Sequence, residues 1–432
     1  MPSPAILRRL TSAMNGGRSF SQSTSIPKKL QRVRDHAFDD YMEIQKKVRR
    51  ALKLQELILS HPSQTLPVSR LDSLARRYAG LAPHESGSFL LRHPHVFHVY
   101  EHPVQRVLWA RLTPRALNQL RSESSALLSA LPSTVLRLRK LLLLSSPRRR
   151  LRLEHVRLAR RDLALPDDFE LSVVLANPQF FRLVSPLGSD EPRLKYIESV
   201  PAPDDPDLTV CAIEHARERE YRSRGGEAED LRFSFIINFP PGFKIGKYYR
   251  IAVWKWQRLP YWSPYEDVSG YDLRSLEAQK RMEKRAVAMI HEFLSLTVEK
   301  KSTLERIAQF REAMGLPKKL KEFLLQHQGI FYISTRGNQG KLHTVFLREA
   351  YRKGELIEPN ELYTARRKLG ELLLLSPKKV NFDRMLTSLG RGDGFSGGGG
   401  GRRELLGDDN GDGQEDNTGS ESDSGVESEF VE

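Results

Sequence analysis

One short aromatic phrase occurs three times in this chain, and its regular recurrence limits the folds that the sequence can adopt. The three copies are "FLLRHPHVFHVY" at 89–100, "VVLANPQFFRLV" at 173–184 and "EFLLQHQGIFYIS" at 322–334. An apolar, helix-like end lies upstream of each copy. The distances from a serine in that end to the phenylalanine of the phrase are 37, 36 and 36 residues for Ser60 to Phe97, Ser145 to Phe181 and Ser295 to Phe331. Spacing this constant predicts three copies of one structural unit.

Each copy has the pattern of successive helices followed by a β-hairpin. Gly80 and Gly315 lie in turns between two helical stretches and suit helix C-caps. The last helix is expected to end near His93, Asn177 or His327, where an aromatic, β-branched run typical of a strand begins. The expected hairpin partners are "RVLWARL" (106–112), "RLKYIES" (193–199) and "KLHTVFL" (341–347). This order of elements resembles a winged helix.

The predicted fold class is α+β, with repeated helical winged-helix-like modules, short β-hairpins, a central antiparallel β insertion, and disordered N- and C-terminal tails. The ordered region is expected at 35–384, with modules at about 50–112, 136–199 and 286–348 and the insertion at about 208–265. The segment "RRKLGELLLLSPKK" (366–379) repeats the first part of a module and is interpreted as a cap on the array. Aromatic residues at a helix–strand junction usually pack inward, so a core position is predicted for Phe97, Phe181 and Phe331.

The N-terminal segment has the composition of a targeting peptide, and the C-terminal segment has that of a disordered tail. Residues 1–34 hold seven basic residues, six serines and no acid, which is typical of an organellar transit peptide. "RSFS" (18–21) resembles a mitochondrial cleavage site, so the predicted location is the mitochondrion, with the chloroplast as the alternative; a retained basic arm is the other interpretation. Residues 385–432 are glycine-rich and then acidic and are predicted to be disordered. The acidic part either competes for a basic surface or only solubilises the protein.

The overall charge indicates a polyanionic partner. The formal net charge of the 432 residues is +15, although eleven acidic and only two basic residues lie between Arg402 and Glu432, so the rest of the chain is more basic still. Nucleic acid and an anionic membrane surface are the candidates. No apolar run approaches the roughly 20 residues that span a bilayer, which favours nucleic acid. The single cysteine, Cys211, excludes an internal disulfide and a cysteine-rich zinc site, and no cofactor, metal or catalytic residue is predicted.

Arginines concentrate where the second module begins. From Arg137 to Arg161 the chain has ten basic residues and one acid, Glu154. Guanidinium groups at a helix end can make bidentate contacts with phosphates, although a solvated charged face is the plainer interpretation. The residues predicted to contact RNA here are Arg137, Arg139, Lys140, Arg148, Arg149, Arg150 and Arg152.

Basic and aromatic residues alternate in the central insertion. "KIGKYYRIAVWKWQRLPYWSPY" is interpreted as strands, in which basic residues hold phosphates while rings stack on unpaired bases. Alternation would place Trp254 and Trp256 on one face, which either stacks on bases or packs in the core. The candidates here are Lys244, Lys247, Tyr248, Arg250, Trp254, Lys255, Trp256 and Arg258.

Several long blocks, taken in order, resemble the plant organelle RNA recognition (PORR) domain family. They include "RDHAFDDYMEIQKKVRRALKLQELILSHP", "DLALPDDF", "NPQFFRLV", "PYWSPYED" and "FREAMGLPKKLKEFLLQHQGIFYISTRGNQGKLHTVFL", and the resemblance covers about Val33 to Lys379. At many of the basic positions, this chain has arginine where the family pattern has lysine. The resemblance carries no residue-level binding set, so the candidates above rest on the residues alone.

The resemblance implies an RNA-binding factor that promotes splicing of group II introns in an organelle without chemistry of its own. Its expected partners are organellar RNA and other splicing factors in a ribonucleoprotein complex. Three alternatives remain at this point: a structural protein of the mitochondrial ribosome or another ribonucleoprotein, a DNA-binding winged-helix protein, and an enzyme. No P-loop, metal-ligand cluster or paired carboxylates appear in the sequence to favour the last.

Overall fold

The computed structural model describes residues 33–375 except 81, 83–84, 146, 186–194, 202–205, 224–233, 241, 244–245, 261 and 337–342. Helices and small antiparallel sheets make up the described chain, so the predicted α+β class is correct. The predicted transit peptide up to residue 32 and the predicted C-terminal tail lie outside the described residues, as do the last residues of the predicted cap, 376–379.

The described helices are distributed along the whole region. They are α1 (His36–Leu59), α2 (Val68–Leu74), α3 (Glu85–Arg92), α4 (Pro114–Ser129), α5 (Leu131–Leu143), α6 (Leu153–Ala159), α7 (Pro206–Thr209), α8 (Ala212–Ser223), α9 (Lys247–Gln257), α10 (Leu276–Leu296), α11 (Leu304–Gln309), α12 (Leu320–Gln326) and α13 (Glu361–Leu374). Helix α2 continues into a π-helical turn at Ala75–Ala79, and a second π-helical turn lies at Glu170–Leu175.

The strands form small antiparallel sheets. They are β1 (Thr65–Pro67), β2 (Phe97–Glu101), β3 (Leu108–Leu112), β4 (Arg150–Arg152), β5 (Phe181–Val184), β6 (Tyr196–Ser199), β7 (Lys301–Thr303), β8 (Phe331–Ser334), β9 (Thr344–Leu347), β10 (Tyr351–Arg352) and β11 (Glu355–Leu356). Three sheets have three strands each, in the orders β1-β3-β2, β4-β6-β5 and β7-β9-β8, and β10 pairs with β11.

The same sequence of elements occurs three times. The first unit is α1, β1, α2, α3, β2 and β3. The second unit is α5, β4, α6, the π-helical turn at Glu170–Leu175, β5 and β6, and the third is α10, β7, α11, α12, β8 and β9. In every unit the last strand lies between the other two. The partner strands of the three hairpins, β3, β6 and β9, lie within the segments that the sequence predicts for them.

Unusual backbone conformations recur at matching positions. The residue before the first strand of each unit is left-handed, with φ of 52°, 46° and 48° at Gln64, Arg149 and Lys300. The turn after the second helix also contains a left-handed residue, with φ of 64°, 63° and 61° at Gly80, Ala164 and Gly315. Residues other than glycine rarely adopt this conformation. Its repetition therefore shows that the three units share detailed turn geometry as well as topology.

The phenylalanine of the repeated phrase lies in the core of each unit, as predicted. Phe97, Phe181 and Phe331 are each at most 3% exposed and begin the second strand of their unit. Each donates its backbone N–H to the carbonyl four residues earlier, at His93, Asn177 or His327 respectively. The last helix or helical turn thus leads directly into the strand, with the aromatic ring buried at the junction.

The prediction of a central β insertion is wrong. The described residues of 208–265 contain no strand, and the segment with the tryptophans is helix α9. Its buried residues, Tyr249, Ala252 and Trp256, are spaced by three and four positions, which is the helical period. The same letters also alternate polar and apolar, so the shorter period was misleading. Residues 234–240, before this helix, belong to no helix or strand, and Asn238 donates its N–H to the carbonyl of Gly329 at 2.8 Å.

Helix α1 joins the first unit to the third. Its second half packs in the core of the first unit through Leu54 and Ile58. Its beginning lies on the third sheet, where the Phe38 ring stacks on Tyr332 with centroids 5.0 Å apart. The Tyr332 hydroxyl donates to the Asp39 carboxylate at 3.0 Å, and the Ser334 hydroxyl donates to it at 2.8 Å. Helix α13 packs against α1 and α4 and closes this side of the protein.

Lys284 holds the end of helix α9 from inside the protein. This lysine of α10 is fully buried, and its Nζ donates to the carbonyls of Gln257 at 2.7 Å and Leu259 at 2.8 Å. These carbonyls have no helical donor of their own at the C-terminal end of a helix, so the ammonium group satisfies them. Burial lowers the pKa of Lys284 to about 8 because the charged form loses its hydration.

A Lys284→Met variant is expected to be less stable than the wild type, because the two carbonyls lose their donor. The wild-type advantage should increase between pH 8 and pH 10. In that window the unfolded lysine is still protonated while the folded one loses its proton, so the unfolded state binds more protons and rising pH favours folding. Urea unfolding at pH 7.5 and pH 10 measures both effects. A difference between the two proteins that shrinks at the higher pH contradicts the prediction.

Candidate nucleic-acid interface

Four of the predicted arginines are exposed at one edge of the second unit. Arg148 and Arg149 lie in the turn after α5, and Arg150 and Arg152 lie on β4. All four are exposed, whereas Leu151 between the strand arginines is buried. Side chains alternate along a strand, so the buried leucine directs Arg150 and Arg152 to the outer face of the sheet. Strand β4 thus places the guanidinium groups of Arg150 and Arg152 on the same face of the sheet.

Strand pairing brings further residues to this face. In the register of the sheet, Arg150 pairs with Glu198 and Arg152 pairs with Tyr196 on β6. The Arg150 guanidinium lies 5.2 Å from the centre of the Tyr196 ring. Arg182 on β5 lies beside Glu198 and forms a 2.8 Å ion pair with it. Arg182 is not among the residues predicted from the sequence. The alternation that follows buried Phe181 is the signal that identifies Arg182.

The candidates on helix α5 are mostly engaged inside the protein. The Lys140 side chain is buried, and its Nζ donates to the carbonyl of Val210 at 2.9 Å. Arg137 is partly buried, and its pKa is lowered by loss of hydration and by repulsion from Arg366. The Arg139 guanidinium lies 4.1 Å from the centre of the Phe180 ring. Helix α5 packs within the second unit and against α10, which explains why its basic residues turn inward.

Helix α9 presents an exposed row of aromatic and basic residues. Tyr248 is 88% exposed, Ile251 41% and Trp254 53%, and their spacing of three residues places them along one side of the helix. The Arg258 guanidinium covers the Trp254 ring at 3.6 Å from its centre. Three of the other predicted candidates, Lys247, Arg250 and Lys255, are also exposed on this helix. The exposed rings and the basic residues beside them thus share one surface of the helix.

Trp256 belongs to the core instead of this surface. It is 1% exposed and stacks on Phe235 with centroids 5.6 Å apart. In a strand, Trp254 and Trp256 would share a face. In a helix, side chains two positions apart point in directions that differ by about 200°. The helix thus separates the two tryptophans into an outer and an inner role. Lys244 lies outside the described residues.

The predicted residues therefore form two groups. The first, here called the arginine edge, consists of Arg148, Arg149, Arg150 and Arg152. The second, here called the α9 face, consists of the exposed residues Lys247, Tyr248, Arg250, Trp254, Lys255 and Arg258. Lys140 and Trp256 belong to neither group because both are buried and packed internally.

A cleft of about 1010 Å³ between α1, α13 and the third unit also contains many cations. Several of them pair with acids that line the same cleft. Arg306 contacts Asp162 at 2.8 Å, and Lys301 forms an ion pair with Glu299. Burial lowers the pKa of Arg49, and the charge of Arg306 lowers it further. These pairings stabilise the join between units and offer a polyanion fewer free charges than the two exposed groups.

The described residues do not contain a group of three or more histidine, cysteine, aspartate and glutamate side chains placed to hold a metal ion. None of the described helices combines the length and apolar character needed to cross a membrane. Cys211 is buried, and its backbone N–H donates to the Glu214 carboxylate at 2.7 Å.

Comparison with known proteins identifies the family of the chain. The model of the plant organelle RNA recognition domain matches residues 33–378. Protein ROOT PRIMORDIUM DEFECTIVE 1 of Arabidopsis thaliana is 65% identical over 369 residues, covering 85% of this chain and 89% of that protein. Protein WHAT'S THIS FACTOR 1, chloroplastic, of Zea mays is 34% identical, covering 80% of this chain and 67% of that protein.

A more distant relative carries a different organelle in its name. Protein WHAT'S THIS FACTOR 9, mitochondrial, of Arabidopsis thaliana is 27% identical, covering 79% of this chain and 84% of that protein. No solved structure matches the chain. The family match includes all three units and both exposed groups, and the chain belongs to the plant organelle RNA recognition domain family.

Proposed function

We propose that this protein binds structured organellar RNA and promotes the splicing of group II introns, without catalysis of its own. The observation that carries the proposal is the arginine edge, where four exposed arginines project from one turn and one strand. Exposed guanidinium groups at fixed spacing suit the phosphates of a folded RNA, which they can hold bidentately. Membership of a family named for organellar RNA recognition supports RNA as the polyanion.

The two exposed groups suit different parts of an RNA. The arginine edge would hold the backbone and supply most of the salt-dependent affinity. The rings of Tyr248 and Trp254 would stack on unpaired bases, which occur in the loops and bulges of a folded intron. Binding that prefers the folded RNA lowers its free energy relative to misfolded forms. The chemistry of splicing would then belong to the intron and its metal ions.

We also propose that the three units are winged-helix-type modules, in which the hairpin forms the wing. The element order and the placement of the last strand between the other two support this assignment. Winged helices often bind duplex DNA, so DNA binding is the competing function. The exposed aromatic rings of the α9 face favour RNA, because unpaired bases offer faces for stacking that a duplex does not.

The proposed location is the mitochondrion, with the chloroplast as the alternative. The basic, serine-rich composition of residues 1–34 supports import into an organelle. The relatives include one named as chloroplastic and one named as mitochondrial, which supports an organelle in general and leaves the choice to experiment.

Crosslinking and immunoprecipitation of the tagged protein from fractionated plant organelles, followed by sequencing of the bound RNA, tests the proposed function. Enrichment of one or a few intron regions is expected, and the organelle fraction that yields them identifies the location. Recovery of mainly ribosomal RNA would replace the splicing role with a ribosomal one. Absence of RNA above background would refute RNA binding.

Replacing Arg148, Arg150 and Arg152 with glutamine is expected to weaken RNA binding uniformly across sequences, because phosphate contacts are lost. Each lost contact should reduce the slope of log affinity against log salt by about one. Filter binding across a salt series measures the slope. The charge-matched control replaces Arg352, Lys353 and Lys368, which are exposed outside both groups. Equal slopes in the two triple variants would remove the arginine edge from the interface.

A Tyr248→Ala, Trp254→Ala double variant is expected to lose affinity for single-stranded RNA while its binding to duplex RNA changes little. Stacking on an aromatic ring contributes roughly 1–3 kcal/mol per base, and a duplex offers no free base. Fluorescence anisotropy with matched single-stranded and duplex oligonucleotides measures both affinities. Ile251→Ala is the control, because it removes apolar surface from the same helix side without removing a ring. Equal losses for both RNAs would exclude stacking.

A further inference from the structure

The outer faces of the three sheets differ, although the sheets share one topology. In each sheet, residues that lie side by side on the three strands form rows across the sheet. Two of these rows point away from the unit's own core. The rows are Thr65, Arg111, His98 and Pro67, Trp109, Tyr100 in the first unit. They are Arg150, Glu198, Arg182 and Arg152, Tyr196, Val184 in the second unit. They are Lys301, Phe346, Tyr332 and Thr303, Thr344, Ser334 in the third unit.

The third unit shows that this face is a contact surface. Tyr332, Phe346 and Ser334 are at most 5% exposed because helix α1 covers them. Phe38 packs against both rings, with centroids 5.0 Å from Tyr332 and 4.9 Å from Phe346. The occupant is therefore part of the same chain. The residues of the face are apolar or hydroxyl-bearing to suit it, except Lys301, which forms an ion pair with Glu299.

The first unit presents the same face to solvent with different chemistry. His98 and Arg111 are exposed, and Tyr100 and Trp109 are half-buried. Neither row contains an acid, so the face is basic and aromatic. An apolar partner such as a helix would leave Arg111 buried without a counter-charge, which is costly. A polyanion with flat rings satisfies both kinds of residue.

The side chains on this face are already arranged as a flat layer. The rings of His98 and Tyr100 are stacked, with centroids 5.6 Å apart and planes 17° from parallel. The Arg111 guanidinium lies 5.1 Å from the centre of the Tyr100 ring and donates from Nε to the His98 Nδ1 at 3.1 Å. Beside this layer, Trp109 contacts His102 with centroids 5.0 Å apart. Layers of aromatic rings and guanidinium planes are what unpaired bases stack on in single-stranded RNA sites.

We propose that the outer face of the first sheet, formed by His98, Tyr100, Trp109 and Arg111, is a third RNA-contacting surface, beside the arginine edge and the α9 face, and that it stacks unpaired bases. The inference rests on the proposed RNA binding and adds a location to it. This face would bind single-stranded segments, as the α9 face would, whereas the arginine edge would hold phosphates. The second sheet carries three arginines in the same rows and so favours backbone contact. The three equivalent faces thus serve three purposes, which are base stacking, phosphate contact and internal closure.

Ultraviolet crosslinking of the full chain to an oligomer of ten uridines, followed by peptide mapping, tests the location directly. Crosslinks are expected within 98–111. A Tyr100→Ala, Arg111→Gln variant with an unchanged melting temperature should bind the oligomer about tenfold more weakly. Tyr78→Ala is the matched control, because Tyr78 is 63% exposed on the first unit but lies outside the sheet.

The outcomes separate this inference from the proposed function. Crosslinks confined to the α9 face or the arginine edge, with wild-type affinity in the double variant, would overturn the first-sheet site and leave RNA binding intact. Failure of the wild-type chain to bind any RNA would overturn both. If the double variant unfolds, the wild-type crosslink map decides, and crosslinks within 98–111 support the site.

Discussion

A three-stranded sheet has two faces, and the helices of each unit in this chain cover only one of them. The inner face buries the repeated phenylalanine in the core. The outer face then needs a partner or must be compatible with water. The third unit takes helix α1 as the partner, whereas the first and second units place basic and aromatic side chains there. The architecture and the candidate interface both follow from this single requirement.

The surface helix α9 depends on the core in a similar way. Trp256 and Tyr249 anchor it inside, and Lys284 satisfies its C-terminal carbonyls, so its opposite side is presented at a defined angle. Trp254 can then remain exposed without loosening the helix. A rigid support for exposed rings reduces the entropy that binding would otherwise cost. In the proposed RNA contact, the buried residues would thus contribute by holding the exposed ones in place.

The repeated units could be predicted from the sequence because their signals are local. The spacing of helix end, turn and phenylalanine can be measured along the sequence. The alternation around Leu151, which exposes Arg150 and Arg152, involves only neighbouring residues. The sequence does not predict helix α9 because this stretch satisfies the periods of both a strand and a helix, and only the packing of Trp256 decides between them.

Contacts between distant residues were beyond reach of the sequence. Lys140 donates a hydrogen bond to a carbonyl seventy positions away, and no local pattern of the sequence indicates that it is buried. The layer of His98, Tyr100 and Arg111 appears only when strands β2 and β3 are paired in the correct register. Register depends on the hairpin geometry and on which face is buried, so a one-residue error would have reversed every assignment.

The shared helix α1 has a consequence for the order of events during synthesis. A ribosome releases Phe38 and Asp39 long before their partners Tyr332 and Ser334, so the beginning of α1 waits with its apolar side uncovered. Closure awaits nearly three hundred further residues, and the core of the second unit is continuous with that of the third, so it too is completed late. Contacts so distant along the chain form slowly and leave apolar surface exposed in the meantime. Chaperones that shield nascent or translocating chains would therefore act on this N-terminal helix above all.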